Sequence, residues 1–254
     1  MTGLTVVILA AESGVKRERW ARESVPKQLI EVRGETLLGR TLRMLEARGV
    51  QRPWLLTADE TLARLPVRAW CPVRRDTKAH SLLSIRPLWQ RGDLLVLYSD
   101  VYYSEAAFEA IFAGAGTRFF GRDGRSAYTF KNYGELFALR IAAADRPRAR
   151  KALEATVDFH RRTGNQSFWT FYRLMAGLPL EDMKAIERDC FVDIHDETDD
   201  IDFVEEVPQL LAAIDKPLSW RVRHLLRRLS LLNKKRRDRK RLALAGAGSA
   251  QPSA

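Results

Sequence analysis

Three stretches of the sequence contain residue types that bind phosphate groups or divalent cations. In the first, an apolar run over residues 4–11 precedes Glu12-Ser13-Gly14 and Lys16, and Lys27 follows eleven residues after Lys16. A turn directly after a buried strand points backbone N–H groups at phosphates, and nearby lysines add positive charge. The same residues also suit an ordinary strand-to-helix loop with solvated lysines, so this stretch alone does not decide between the two interpretations.

The second stretch ends in Asp100, directly after the apolar segment Asp93–Tyr98 and Ser99. An acidic residue just past a strand is often a helix N-cap or a turn residue. It also suits Mg²⁺, which takes one or two protein carboxylates and completes its shell with waters and phosphates.

The third stretch is a cluster of acids after a short apolar segment, and its members are Asp193, Asp196, Glu197, Asp199, Asp200 and Asp202. Acids at this position suit the positive end of the dipole of a following helix. So many neighbouring carboxylates also repel one another, and a bound cation would relieve that repulsion.

The elements that position these stretches alternate along the chain. Hydrophobic patterning predicts strands over residues 4–11, 54–56, 93–98, 135–139 and 191–194. It predicts helices over residues 36–48, 81–89, 104–112, 148–161, 167–176 and 201–214. The Gly- and Arg-rich stretch 114–126 is predicted to be a loop. This alternation favours a doubly wound α/β sheet, in which ligands bind at the carboxyl ends of the strands.

The composition describes a chain that can bury a full core. Its 254 residues are 46% hydrophobic and include 11 Phe, 6 Trp and 6 Tyr, which excludes a fibrous or wholly disordered protein. No apolar run approaches the roughly 20 residues of a membrane span. The start lacks a basic segment before its apolar stretch, and two cysteines are too few for a disulfide framework or a zinc site. We therefore expect a cytoplasmic protein.

The net charge of +11 is located entirely at one end of the chain. Residues 216–254 contain 12 Lys or Arg and one acid, so the first 215 residues sum to zero. We expect a neutral domain over residues 1–215, a cationic amphipathic helix over residues 216–241 and a disordered tail over residues 242–254.

The cationic segment has one apolar stripe at helical spacing, formed by Leu218, Val222, Leu225, Leu226, Leu229 and Leu232. Two interpretations stay open. The helix docks on the body or on a protein partner, or it lies on an anionic membrane surface by apolar burial and charge. Nucleic acid is the less favoured partner, because it would leave the leucines unexplained.

The order of the motifs resembles the nucleotidyltransferase superfamily, whose fold is Rossmann-like and of the GT-A type, with a mixed, mostly parallel sheet flanked by helices. That family shows L-A-A-G-x-G-x-R, P-K-x-L, G-x-x-L-L, an apolar strand ending in Asp, and an acidic turn. The matching segments here are LAAESGVK (9–16), PKQLI (26–30), GETLLGRTL (34–42), LLVLYSDV (94–101) and DETDDI (196–201). Shorter matches, HSLLS (80–84) and FWTFYRLM (168–175), are most similar to cytidylyltransferases acting on phosphocholine, inositol phosphate or phosphonates.

The resemblance implies a magnesium-dependent enzyme that moves CMP from CTP onto a phosphorylated small molecule and releases pyrophosphate. It implies that the triphosphate is cradled by the backbone at Leu9, Ala10, Ala11, Ser13 and Gly14. Lys16 would meet the β- and γ-phosphates and Lys27 the α-phosphate, as the two catalytic cations. Ser81 and Ser84 would lie near the base.

The resemblance also implies the metal ligands, which would be Asp100, also a nucleotide-binding residue, together with Asp196 and with Asp193 as a possible third. The match around Asp193 includes one extra residue in this chain, so its register stays open. One residue departs from the family pattern, because Glu12 replaces the first loop glycine. A carboxylate at that position repels the negatively charged triphosphate, and its Cβ hinders the close approach that a glycine permits.

Glu12 therefore keeps a second interpretation open, a non-catalytic relative that binds a nucleotide or sugar phosphate. A third is a GT-A glycosyltransferase that uses Asp100 to hold Mn²⁺ on a nucleotide sugar.

Two further groups of side chains are candidates for binding a ligand or a metal. The aromatic run Phe168, Trp169, Phe171 and Tyr172 is predicted mainly as core, with cation–π binding of a cationic head group as the alternative. The four histidines show no metal-binding spacing, and His195 is predicted as a solvated loop residue.

Overall fold

A computed structural model describes residues 3–10, 25–90, 92–126, 133–181 and 185–215, together with Val222 and Leu226. Predictions for residues 11–24 and for most of the cationic segment lie outside this part of the chain. Val222 and Leu226 are helical.

Eleven strands are present in the described residues. They are β1 (Leu4–Leu9), β2 (Glu31–Val32), β3 (Glu35–Thr36), β4 (Trp54–Leu56), β5 (Arg68–Trp70), β6 (Asp93–Tyr98), β7 (Val101–Tyr102), β8 (Arg118–Arg122), β9 (Glu135–Ile141), β10 (Phe191–Asp193) and β11 (Asp199–Asp200). Seven of them form one sheet in the order β10-β8-β9-β6-β1-β4-β5, while β11 pairs with β7 and β2 with β3.

The helices in the same residues alternate with these strands. They are α1 (Leu37–Glu46), α2 (Glu60–Ala63), α3 (Lys78–Ser84), α4 (Glu105–Ala113), α5 (Arg146–Thr163), α6 (Trp169–Ala176) and α7 (Glu206–Asp215), with short 3₁₀ turns at Lys27–Leu29, Arg86–Gln90 and Ala143–Asp145. The predicted α/β class, with a mixed and mostly parallel sheet flanked by helices, is confirmed.

The strand directions identify one edge of the sheet as the expected position of a ligand crevice. In the seven-stranded sheet, β9 pairs antiparallel with β6 and β8, whereas the other pairings are parallel. The chain moves from β1 towards β4 and β5 and then returns to form β6 on the other side of β1. The strand order therefore reverses between β1 and β6, and ligands bind outside the carboxyl ends at such a point.

The prediction of a loop over residues 114–126 was wrong, because Arg118–Arg122 forms β8 inside the sheet. The glycine that suggested a loop marks a close approach of two strands. A Cβ at Gly121 would lie 2.1 Å from the carbonyl oxygen of Glu135, and the register shifts between Phe120 and Gly121. A glycine inside a strand often marks such a bulge.

Two predicted helices also differ from the structure. The helix predicted from Ser81 to Trp89 instead begins at Lys78, where the Thr77 side chain accepts the His80 N–H as the N-cap, and it ends at Ser84, before the separate 3₁₀ turn Arg86–Gln90. The helix predicted from Ile201 starts at Glu206, and Glu206 Oε2 accepts the backbone N–H groups of Asp202 and Phe203, which form a turn before the helix. The edge strand β5 was not predicted.

Two hydrophobic clusters stabilise this arrangement. The larger one contains the residues of β1 and β6, whose side chains are buried on both faces of the sheet. The smaller one joins α7 to the hairpin of β2 and β3 through Val32, Leu37, Tyr102, Ile201 and Leu210. Within the described residues, no helix is long and apolar enough to cross a membrane.

Candidate functional site

The carboxyl ends of β1 and β6 form the floor of the crevice. The Ser99 N–H donates to the Leu9 carbonyl at 3.1 Å, and the Ala10 N–H donates to the Leu56 carbonyl at 2.9 Å. Leu9 and Ala10 are both buried, and Asp100 follows on the adjacent strand end. The predicted nucleotide contacts Leu9 and Ala10 therefore lie beside Asp100, while their contact with a nucleotide stays a prediction.

Lys27 contacts Asp100 and Asp202 and is attracted at longer range by Asp200, and we call these four residues the Lys27 group: Lys27, Asp100, Asp200 and Asp202. The Lys27 ammonium donates to Asp100 Oδ2 at 2.6 Å and lies 3.8 Å from Asp202 Oδ1. The Lys27 side chain is only 2% exposed. The structure therefore brings two sequence-predicted residues, Lys27 and Asp100, into direct contact across 73 positions of the chain.

Local backbone geometry places each member of this group. Pro26, with φ of −56°, precedes the 3₁₀ turn Lys27–Leu29, and the Leu29 N–H donates to the Pro26 carbonyl at 2.9 Å. On the opposite side, β11 pairs with β7 so that Asp200 lies across from Val101. The Ile201 N–H donates to the Asp100 carbonyl at 2.8 Å. These bonds attach the acidic loop to the end of β6.

The charge of Lys27 is stabilised in these surroundings. Burial acts to lower the pKa of Lys27, but attraction to Asp100, the hydrogen bond with it, and attraction to Asp202 and Asp200 act more strongly in the other direction. The pKa of Lys27 is consequently raised above the usual 10.5, so the group is a permanent ammonium at neutral pH. It can neutralise a phosphate, but it is not a general base.

The turn containing Asp100 is supported by the buried phenol of Tyr103. Its hydroxyl accepts the Tyr98 N–H at 2.9 Å and donates to the Phe137 carbonyl at 2.6 Å. Arg40 donates to the Tyr103 carbonyl at 2.8 Å. The end of β6 is thereby tied to both β9 and α1, which limits the positions that Asp100 can adopt.

Asp196, predicted as a metal ligand, is hydrogen-bonded in a different place. Its carboxylate accepts the Ser104 hydroxyl and the Thr198 N–H, and Ser104 is the N-cap of α4. Thr198 accepts the Ser104 N–H at 3.0 Å. Asp196 thus attaches the acidic loop to α4, and its role as a metal ligand stays a prediction.

Asp193, the possible third ligand, belongs to a second polar cluster, the Asp193 group: Asp123, Arg188, Asp193 and His195. Asp193 Oδ1 accepts the Asp123 N–H at 3.0 Å, and its Oδ2 lies 3.3 Å from Arg188 and 2.6 Å from His195. Arg188 also pairs with Asp123 at 2.6 Å. The prediction that His195 is solvated was wrong, since it packs against Asp193 and is 11% exposed.

A buried ion pair separates the two groups. Arg122, at the end of β8, lies 2.8 Å from Asp199, and both side chains are almost inaccessible to solvent. Asp199 also accepts the Ser126 hydroxyl at 3.3 Å. This pair joins β11 to the main sheet, so Asp199 has a structural partner of its own.

The serines predicted near the base lie on α3. The Ser84 hydroxyl donates to the Ser81 carbonyl at 2.7 Å, and the Ser81 hydroxyl donates to the Thr77 carbonyl at 3.4 Å. The first residue of this helix, Lys78, places its ammonium 3.9 Å from the centre of the Tyr98 ring at the end of β6. The start of α3 therefore lies at the crevice, while the roles of the two serines stay predictions.

The aromatic residues of α6 belong to the core, which confirms the favoured interpretation. Phe171 and Tyr172 are inaccessible and pack edge-on against Phe119, while Trp169 stacks on Phe191 at 5.7 Å. The Trp169 indole N–H donates to the Gly134 carbonyl at 3.2 Å. These rings fill the space between α6 and the sheet.

The donor chemistry of the Lys27 group fits a hard divalent cation. Asp100, Asp200 and Asp202 supply carboxylate oxygens, the ligands that Mg²⁺ takes. In the described residues, no three His, Cys, Asp or Glu side chains are already gathered around a common metal position. Lys27 lies between Asp100 and Asp202 in this structure.

The remaining predicted site residues, Ala11, Ser13, Gly14 and Lys16, lie outside the described residues, as does Glu12. Asp200, Asp202 and Lys78 were not predicted individually as site residues. Asp200 and Asp202 were part of the recognised acidic cluster, but nothing local distinguished them from Asp196. Lys78 had no signal beyond its position in front of the HSLLS segment.

Comparisons with known proteins agree at the level of fold. No protein-family model and no curated protein matches the sequence. Among solved structures, a CTP:phosphocholine cytidylyltransferase from Streptococcus pneumoniae superposes with a TM-score of 0.53 at 16% identity, covering 84% of this chain and 100% of that one. The chain has the nucleotidyltransferase fold.

Two other structures support the same fold. A protein described as a glucose-1-phosphate thymidylyltransferase from Bacillus anthracis gives a TM-score of 0.56 at 10% identity, over 84% of this chain and 96% of that one. A 4-diphosphocytidyl-2C-methyl-D-erythritol synthase from Anaerococcus prevotii gives 0.52 at 11% identity, over 85% and 99%.

Proposed function

We propose that this protein is a magnesium-dependent nucleotidyltransferase that moves a nucleoside monophosphate, with CMP favoured, onto a phosphorylated small molecule. The observation that supports it most is the Lys27 group. A buried ammonium and three carboxylates meet outside the carboxyl ends of β1 and β6, where the fold binds ligands.

Lys27 would act by charge. A nucleoside triphosphate in the crevice brings negative oxygens close to the ammonium, which can exchange its contact with Asp100 for one with the α-phosphate. Because the side chain is buried and already oriented, this interaction needs little reorganisation and is stronger than in water. Lys16 would add a second positive charge near the β- and γ-phosphates.

The carboxylates released by that exchange would hold Mg²⁺. Asp100 and Asp202 are the first candidates, since both contact Lys27. Asp200 lies on β11, two residues before Asp202. Bound Mg²⁺ would offset the charge of the triphosphate. Asp196 and Asp193 stay weaker candidates, because their carboxylate oxygens already accept hydrogen bonds elsewhere.

The reaction balances without a covalent enzyme intermediate. An oxygen of the acceptor phosphate or phosphonate attacks the α-phosphorus in line. The bond from the α-phosphorus to the oxygen that bridges to the β-phosphate breaks, and pyrophosphate leaves. The protein orients both substrates and stabilises the charge that develops on the α-phosphate.

The cytidine preference rests on the resemblance of the sequence and on two of the three solved structures above, whose names contain cytidylyl or cytidyl transfer. Candidate acceptors are choline phosphate, polyol or sugar phosphates, and phosphonates.

The first experiment is a thermal-shift panel of CTP, UTP, ATP, GTP and dTTP with and without Mg²⁺. A ligand at about 100 times its Kd stabilises the folded state by about 2.7 kcal/mol. We expect a magnesium-dependent shift with CTP, followed by pyrophosphate release when the acceptors are added. Absence of pyrophosphate release with every nucleotide and acceptor would overturn the proposal.

Glu12 favours a second candidate, a non-catalytic relative that binds a nucleotide or sugar phosphate in a regulatory role. The catalytic and the non-catalytic candidate predict different results in the same experiment. A nucleotide-dependent thermal shift without pyrophosphate release, restored to turnover by Glu12→Gly, would support the second candidate. A GT-A glycosyltransferase would instead release a nucleoside diphosphate from a nucleotide sugar.

A further inference from the structure

The strongest feature that the proposed reaction does not use is the cationic segment 216–241. It contains all 12 basic residues and the one acid of the last 39 residues of the chain, and thus the entire net charge of the protein. A helical wheel collects its stripe of Leu and Val on one side, flanked by Arg221, Arg223, Arg227 and Arg228. A polar face alone would suffice for solubility, so the apolar stripe needs a surface to bury it.

The structure defines where this segment begins. Helix α7 is anchored by Leu210 in the smaller hydrophobic cluster, and at its end Asp215 pairs with Arg33 in the turn between β2 and β3. Pro217 follows two residues later, and proline disfavours helical backbone in the residue before it. In sequence, the cationic segment therefore follows directly after a helix end that is held on the body.

Two members of the apolar stripe are described, and neither is covered by the body. Val222 and Leu226 are helical, one turn apart, and are 59% and 62% exposed. Large apolar side chains on one helix face are ordinarily buried, so the exposure of these two within a strongly cationic stretch of the sequence indicates an external surface that is both apolar and anionic.

We propose that residues 216–241 bind the surface of an anionic lipid bilayer, with the apolar stripe inserted at the headgroup boundary and the basic residues against the lipid phosphates. Each Lys or Arg near such a surface contributes about 1 kcal/mol, and the stripe adds apolar burial. Nucleic acid would use the charge but would leave the apolar stripe without a partner.

This attachment would hold the crevice close to the membrane. Helix α7 contains 10 residues, which at 1.5 Å of rise per residue separates its two ends by about 15 Å. The Lys27 group member Asp202 lies four residues before its first residue, Glu206, and the cationic segment follows its last. A product made in the crevice would therefore be released near the lipid surface.

Co-sedimentation of the full chain with vesicles tests the proposal. We expect binding to phosphatidylcholine vesicles that contain phosphatidylserine, weaker binding at high salt, and none to phosphatidylcholine alone. Replacing Lys234, Lys235, Arg236 and Arg237 by Gln should weaken binding several hundredfold, at about fivefold per charge. Absence of binding to the anionic vesicles, or equal binding to the neutral ones, would overturn the proposal.

A matched pair of variants tests whether the apolar stripe contributes to vesicle binding independently of the basic residues. Val222→Glu and Val73→Glu make the same chemical change at exposed valines, and Val73 is 94% exposed on the body. We expect Val222→Glu to weaken vesicle binding at least about tenfold, and Val73→Glu to leave it nearly unchanged.

Equal effects of the two changes would contradict the proposal. The proposal would also be contradicted if an oligonucleotide displaced the vesicles and bound equally well to the Val222→Glu variant. That result would indicate nucleic acid as the partner. A lowered melting temperature specific to Val222→Glu without vesicles would show that the stripe packs on the body instead.

Discussion

The Lys27 group and the Asp193 group lie at the same edge of the sheet, yet they distribute their charges differently. The Lys27 group places three carboxylates around one ammonium, so these four side chains sum to a formal charge of −2. The Asp193 group matches its two carboxylates with a guanidinium and an imidazole in direct contact.

This difference indicates that the Lys27 group suits the binding of a cation, whereas the Asp193 group suits a structural role. In the Lys27 group, the ammonium lies 2.6 Å from Asp100 and 3.8 Å from Asp202, with a surplus of carboxylates around one positive charge. In the Asp193 group, Arg188 bridges two carboxylates and the Asp123 N–H adds a further bond. We therefore expect chemistry at the first group and mainly structural support from the second.

The largest effect is expected for Lys27→Met. Turnover should fall at least about a hundredfold, because the charge on the α-phosphate loses a preorganised partner. The free energy of unfolding should fall by about 3 kcal/mol, since buried carboxylates lose their ammonium. Pyrophosphate release and denaturant unfolding measure the two effects.

Arg188→Met tests whether the Asp193 group also takes part in the reaction. It removes a cation of the Asp193 group and should reduce stability by a similar amount while turnover falls less than about tenfold. Lys151→Met, at an exposed position of α5, serves as the control for both. Equal losses of turnover for Lys27 and Arg188 would show that the two groups act together in the reaction.

The next effect distinguishes acids within the same loop. Asp202→Asn should raise the Mg²⁺ concentration needed for half-maximal turnover and lower turnover at least about tenfold, because a carboxylate beside Lys27 becomes neutral. Asp196→Asn should change the melting temperature but not the Mg²⁺ requirement, because Asp196 bonds Ser104 and Thr198. The reverse pattern in a Mg²⁺ titration would restore Asp196 as the ligand.

A smaller effect follows from the raised pKa of Lys27. A lysine whose pKa is higher in the folded state stabilises the fold fully below its unfolded value of 10.5 and loses that contribution as pH rises beyond it. The stability difference between wild type and Lys27→Met should thus be constant from neutral pH to about pH 9 and shrink above 10.5. A difference that instead grows with alkaline pH would contradict the ion-pair assignment.

The smallest effect concerns Glu197, on the loop between the two groups. Burial raises its pKa above 4.5, with a further contribution from Asp196, so the ionised carboxylate is disfavoured in the folded state. For an acid of this kind, stability falls as pH rises through 4.5. Glu197→Gln should therefore raise the melting temperature at pH 7 but not at about pH 3.5, and a gain of equal size at both values would exclude this origin.

Much of the fold and part of the site could be predicted from the sequence, because local patterns contain the relevant physics. The runs 4–9 and 93–98 are apolar without alternation, which requires burial on both faces, and they became adjacent parallel strands. Asp100 follows the second run after Ser99, so its place at the carboxyl end was determined once that run became a strand. The location of the net charge in residues 216–254 needed no structure at all.

Tertiary structure decided what local patterns leave equivalent. Six acids occur between residues 193 and 202, and only the pairing of β11 with β7 determines that Asp202 meets Lys27 while Asp196 meets Ser104. Gly121 could mark a loop or a bulge, and the position of β8 between β9 and β10 made it a bulge. Contacts between residues more than 90 positions apart depend on the path of the whole chain, and no local window of sequence contains that path.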